Sequence, residues 1–185
     1  MRLSRFLLAT VTAAIVGLTA CDDSSAESRE GLIDRINANA EGAVWKNGAF
    51  GYFERNHAAS LSENGEIEVS YDQCIVWGPP AADKDVDGIM ALCGTGHFKW
   101  RKTRLAIALT LIDDTEVKII SGDAKIRESG HRVAFNCANR IMGCAQQREG
   151  VAGKAAFGIL CTDLKACGET AAHILRLVEL AKTGD

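Results

Sequence analysis

Six cysteines carry the most definite chemistry in this sequence: Cys74, Cys93, Cys137, Cys144, Cys161 and Cys167. An even set in an exported domain reads as disulfides. Chain order favours the local set, Cys74 with Cys93, Cys137 with Cys144, and Cys161 with Cys167. A strand-to-strand bridge between Cys137 and Cys161 would also suit a small sheet. Each short loop would stabilise the fold by roughly 2–3 kcal/mol by restricting the unfolded chain. No Cys-x-x-Cys occurs, which argues against thioredoxin-like redox work. Cys93 and His97 are close enough to share a metal, but no second ligand pair has zinc spacing.

Asp83, Asp85 and Asp87, followed by Gly88, match the opening of a calcium loop. Carboxylates at alternate positions surround a hard cation there, and the glycine permits the turn. The closing position, which should be a bidentate Glu, is Gly94, and Pro79-Pro80 forbids an entering helix. A solvated acidic loop is the simpler expectation. Calcium is the one cofactor the residues suggest.

The stretch from His97 to Arg104 sets Lys99, Arg101, Lys102 and Arg104 beside Phe98 and Trp100. In a strand, Phe98 and Trp100 would point one way while Lys99 and Arg101 pointed the other. Lys99, Trp100, Arg101, Lys102 and Arg104 are therefore a candidate surface for an anionic lipid or an acidic partner. The same charges would also protect a sheet edge.

Catalytic signatures do not converge. There is no Gly-x-Ser-x-Gly elbow and no paired-His zinc motif. Gly150 to Lys154 lacks the first glycine and the closing Ser or Thr of a phosphate loop. Asp113, Asp114 and Glu116 fall at an expected turn, where Asp is favoured for backbone reasons. His131 follows a turn glycine and His173 lies on a polar helix face. The reading is a protein that is not an enzyme.

Composition narrows the class further. The chain has 185 residues, 47% hydrophobic and 24% charged, with a formal net charge of −3. That balance excludes disorder, collagen and a multi-span membrane protein. An acidic balance also argues against a nucleic-acid partner.

The first 21 residues form a targeting segment. Arg2 and Arg5 make a positive start, and an uncharged stretch runs from Phe6 to Ala20. Leu18-Thr19-Ala20-Cys21 resembles the lipobox of bacterial lipoproteins. The resemblance implies cleavage before Cys21, whose thiol is lipidated and becomes the mature N-terminus, with palmitate among the acyl chains. Residues 1–20 are then the signal peptide, 21–29 a lipidated polar tether, and 30–185 one periplasmic domain. Loss of Arg2 and Arg5 takes the charge from −3 to −5. Asp22 resembles the signal that keeps enterobacterial lipoproteins in the inner membrane, while other sorting rules would place the chain in the outer membrane.

The elements that must position these residues follow from periodicity. Leu32, Ile33 and Ile36 predict a short helix over 29–40. Val44 to Glu54 reads as a strand or bent hairpin. Ile67, Val69 and Tyr71 alternate with polar residues as a half-buried strand. Phe98 to Leu111 is the longest extended signal, followed by strands at Val117–Ile120, Val133–Cys137 and Phe157–Leu160. From Leu164 the period turns helical, with Leu164, Cys167, Ala171, Leu175 and Val178 on one face and Asp163 as the N-cap. The expected fold is α+β: an antiparallel sheet of six or seven strands with a C-terminal amphipathic helix, stapled by disulfides. This layout is similar to pleckstrin-homology-type modules, which implies a curled, barrel-like sheet plugged by the helix.

Function follows in part by exclusion. The expected protein is a non-enzymatic, membrane-anchored periplasmic lipoprotein that binds a protein or envelope component. The alternative is an inhibitor or immunity-type lipoprotein that blocks a hydrolase, using the segment from Gly78 to Gly96 as its protruding loop.

Overall fold

The computed structural model describes residues 28–77, 85–137, 145–149 (as backbone) and 158–184. It begins with helix α1, Arg29–Ala40, whose N-cap Ser28 accepts a hydrogen bond from Gly31 N at 3.0 Å. The apolar stripe Leu32, Ile33, Ile36 and Ala40 is buried, as its spacing predicts. Strands β1, Val44–Asn47, β2, Tyr52–Leu61, and β3, Glu66–Ile75, follow. After a short helix α2, Val86–Met90, come β4, Arg101–Ala108, and β5, Lys118–Ser121. The chain then forms β6, Glu128–Ser129, β7, His131–Ala134, β8, Ala145–Glu149, β9, Gly158–Cys161, and helix α3, Leu164–Thr183.

These elements make an α+β fold of two antiparallel sheets. The larger has the order β6-β1-β2-β3-β4-β8, and the smaller β5-β7-β9. Neither sheet closes on itself, so the barrel implied by the pleckstrin-homology resemblance is not formed. The nine strands among the described residues exceed the six or seven expected. The extended signal of Phe98 to Leu111 also breaks early. Beyond Ala108 the chain turns into a 3-10 segment, Leu109–Leu111, with Leu109 N bonded to Gly65 O at 3.1 Å.

The main core lies between the inner face of the large sheet, the small sheet and both long helices. Ile67, Val69 and Tyr71 of β3 meet Leu32 and Ile36 of α1, Val133 of β7, Ile159 of β9, and Ile174, Leu177 and Val178 of α3. The helices run antiparallel: Arg29 reaches Leu180 O at 3.0 Å, while Asn39 reaches Thr170 Oγ1 at 3.3 Å. Asp163 caps α3 by accepting from Ala166 N at 2.8 Å, as expected. The buried face of α3 differs from the predicted one. It comprises Ala166, Cys167, Thr170, Ile174, Leu177 and Val178, while Leu164 and Leu175 are exposed. The Cys161–Cys167 disulfide orients the first turn, tying α3 to β9. Periodicity alone cannot sense that constraint.

A second, smaller cluster covers one end of the outer face. Phe53, Cys74, Val76 and Ile89 are buried there, with Met90, Cys93, Phe98 and Trp100 packed against them. The Cys74–Cys93 disulfide, with Cα atoms 6.0 Å apart, holds the α2 segment on the sheet. Two of the three local pairings expected from chain order are thus present, and the cross-sheet pairing of Cys137 with Cys161 is not. Cys137 is disulfide-bonded too; its expected partner Cys144 lies outside the described residues.

Candidate functional site

Two groups of polar side chains share the inner face of the large sheet, and the strand register explains both. Antiparallel partners point to the same face. Trp45, Glu54, Gln73 and Arg101 are successive partners across β1 to β4, and Asn47, Tyr52 and Ile75 form the next row. Tyr71, one step back on β3, faces the same way, buried in the main core.

The first group is a buried charge cluster. Glu54 is 1% exposed, His57 7% and Arg132 7%. Glu54 Oε2 lies 3.3 Å from His57 Nε2 and 3.4 Å from Arg132 Nη2, and Tyr52 donates its hydroxyl proton to Glu54 Oε1. The His57 ring stacks on Tyr71 with centroids 4.6 Å apart, and Arg132 lies over Trp45 at 3.9 Å. Burial pushes the Glu54 carboxyl up, but the contacts with His57, Arg132 and Tyr52 outweigh it and hold the group below the ordinary carboxylate range. Burial and then the Glu54 charge push the hydroxyls of Tyr52 and Tyr71 well above the usual tyrosine range. Glu54 is therefore an acceptor and Tyr52 its donor. Since Arg132 belongs to β7, the cluster ties the two sheets together.

His57 reaches this cluster through a bulge. Between Arg55 and Ala58 the β2–β3 register shifts, and Asn56 takes a left-handed conformation with φ 55°. The extra residue changes which positions face inward, from Tyr52 and Glu54 to His57 and Ala59. The outward edge of His57 lines an open cleft of about 410 Å³ with Asn37, Glu41 and Asn56.

The second group lies farther along the same face, beyond the core. Gln73, Ile75 and Trp77 from β3 and the chain beyond it, with His97, Lys99 and Arg101 leading into β4, line a cleft of about 90 Å³. Gln73 is buried at its base, 7% exposed, and Trp77 stands at its edge, 77% exposed. Phe50, at 74%, is the other strongly exposed aromatic among the described residues. Val76 N donates to Gly51 O at 2.8 Å, which extends the β2–β3 ladder. Phe50 lies in the β1–β2 turn just before Gly51, at the same end of the sheet as Trp77. Gly51 is required at this crossing: its φ is +60°, and a Cβ there would lie 2.5 Å from Val76 O.

The basic stretch thus divides between two faces, as alternation predicts. Lys99 and Arg101 line the cleft, while Phe98 and Trp100 pack on the small outer cluster. Three residues of the predicted partner surface belong elsewhere. Trp100 is partly buried under the Arg55 guanidinium, 4.0 Å from the ring centroid. Arg104 pairs with Glu68 at 3.2 Å. Lys102 is exposed and lies opposite Asp72, on the outer face.

The acidic segment does structural work. Asp85 is the N-cap of α2 and accepts from Gly88 N, and Asp87 pairs with Lys46 at 2.5 Å. Asp83 lies outside the described residues. Among the described residues no three metal-ligating side chains come together. Asp113 caps the 3-10 turn Asp114–Glu116, and hydrogen bonds from the Thr115 hydroxyl and amide hold its carboxyl low.

One pair escaped sequence reasoning. Ser121 Oγ is 3.0 Å from His131 Nδ1 across β5 and β7. The pair is a register partnership, and no carboxylate orients His131 among the described residues. A nucleophile–base pair normally needs such a third group.

No known family model, curated protein or solved structure matches the chain. The site therefore rests on its own geometry.

Proposed function

We propose that this chain is a non-enzymatic lipoprotein, anchored through acylated Cys21 at the inner membrane and facing the periplasm. It binds a protein or envelope component with the Trp77 end of its large sheet. The observation that supports this reading is directional. Asn37 of α1 bonds Ala59, and the end of α1 lies beside Asn56 and His57. The helix therefore starts toward the β2–β3 turn at 62–65, while Phe50, Trp77 and the basic cleft occupy the other end of the sheet. The ten residues of β2 alone separate these ends by about 30 Å. A tether of seven residues, 22–28, reaches at most about 25 Å from the anchor. The exposed aromatics then point away from the membrane that holds the domain.

A second reading keeps the same end but changes the partner. The Cys74–Cys93 disulfide ties residues 85–96, the described part of the Gly78–Gly96 loop, to β3, as an inhibitor loop would require. Site-specific photocrosslinking in cells separates the readings. Probes at Phe50 and Trp77 should capture a partner that a probe at Lys165, on exposed α3, does not. A resident envelope component favours the binding platform, and a hydrolase blocked by the pure chain favours the inhibitor. Equal capture at Lys165 would sink both, and turnover of an envelope substrate would sink the non-enzymatic claim. Replacing Cys21→Ser should abolish acyl labelling and leave unprocessed precursor.

A further inference from the structure

We infer that the Trp77 cleft is an anion site, taking one carboxylate or phosphate group whose neighbouring ring lies against the indole. The inference rests on the binding reading above and names the chemistry of what is bound.

The donor set carries the argument. Every polar side chain lining the cleft offers a proton or a positive charge, and no acidic residue lines it among the described residues. This occurs in a chain whose net charge is −3. Gln73 is polarised by its neighbour: Thr103 Oγ1 donates to Gln73 Oε1 at 3.1 Å, deep in the sheet. Its carbonyl is thereby occupied, and its NH2 has no partner among the described residues. An unpaired amide donor is thus left at the base of the cleft, open to whatever enters it.

Above it, Lys99 and Arg101 are exposed, and neither forms an ion pair among the described residues. The other face of the same strand differs, since Arg104 pairs with Glu68 and Arg55 covers Trp100. Charge-assisted bonds from a guanidinium and an ammonium suit a carboxylate or a phosphate. The volume, about 90 Å³, admits one such group and little more. What extends beyond it meets Trp77, whose exposed face favours stacking of a flat ring.

Nuclear magnetic resonance on the intact chain in detergent tests this, following the Gln73 side-chain amide and the Trp77 indole. Phenyl phosphate and hippurate carry the two anions on a ring, and benzyl alcohol is the neutral control. At least one anion should shift both signals saturably at millimolar concentration, and the stronger of the two identifies the preferred group. The surface variant Lys99→Ala/Arg101→Ala should weaken binding roughly tenfold or more. Equal binding of benzyl alcohol, no shift with either anion, or no loss in the double variant would overturn the anion site. Those results would leave Trp77 crosslinking intact, whereas loss of crosslinking with normal anion binding would count against the partner reading alone.

Discussion

The large sheet is packed on both faces, by different means. Its inner face meets two long helices and a second sheet, with Phe135, Leu32, Ile36 and Ile174 wholly buried. Among the described residues its outer face is covered at one end only, by a five-residue helix over four buried residues and a disulfide. A helix that short has no stability of its own, and so small a cluster removes little apolar area from water. The difference teaches where covalent chemistry is needed. The inner core holds by area, the outer one by its staple. The inner face departs from this logic in one place, where Glu54, His57 and Arg132 substitute charge for apolar packing.

That exception gives the largest expected effect. Glu54→Ala strands the Arg132 guanidinium between the sheets and should cost about 3–5 kcal/mol by urea denaturation. Pairing it with Arg132→Met should recover much of the loss. The same carboxyl sets an acid limit. Its pKa is held below the unfolded value of about 4.3. Its contribution is therefore complete at neutral pH and is lost as pH falls below that value. At the alkaline end, Tyr52 and Tyr71 are raised, so stability should decline once pH passes about 10, where the unfolded tyrosines ionise. A shallower acid loss of the unfolding midpoint in Glu54→Gln than in the parent would confirm the assignment, the remaining slope belonging to other lowered carboxyls such as Asp113.

Breaking the staple should have a smaller and more local effect. Cys74→Ser/Cys93→Ser removes a link of 19 residues' separation and should cost about 3 kcal/mol. Hydrogen exchange should show α2 and its flanks losing protection while α1 and α3 keep theirs. Uniform loss would mean that the two faces form a single cooperative unit. The smallest effect is expected at the helix end: Asp163→Ala removes the α3 cap and should cost about 1 kcal/mol, seen as a small shift in melting temperature.

What could be read from the sequence was local. The stripe Leu32, Ile33, Ile36 and the Asp163 cap depend on residues within a turn or two, and both described disulfides close short loops. Helix α2 was hidden because Asp85 and Asp87 fit a cation loop as well as a cap and an ion pair. The charge cluster was hidden for two reasons. Arg132 comes from a distant strand, and Asn56 switches the inward positions of β2 in mid-strand. Simple alternation from Glu54 would keep His57 off the face that it occupies. The cleft was half legible: Lys99 and Arg101 were expected to share a face, but nothing local brings Gln73 and Trp77 to them.

Asn37 has a consequence for a protein held at a surface. Past Arg55, β2 no longer has β1 beside it, and the Asn37 amide bonds both the N–H and the C=O of Ala59, at 2.7 and 3.0 Å. One side chain thus imitates the missing neighbour at Ala59. Lipid anchoring confines molecules to two dimensions, where encounters between identical copies are frequent and similarly oriented. An open ladder under those conditions would invite copies to zip together into fibrils. Under the anchoring proposed above, α1 fills that position from within and leaves Ala59 no open bond for a second copy to take.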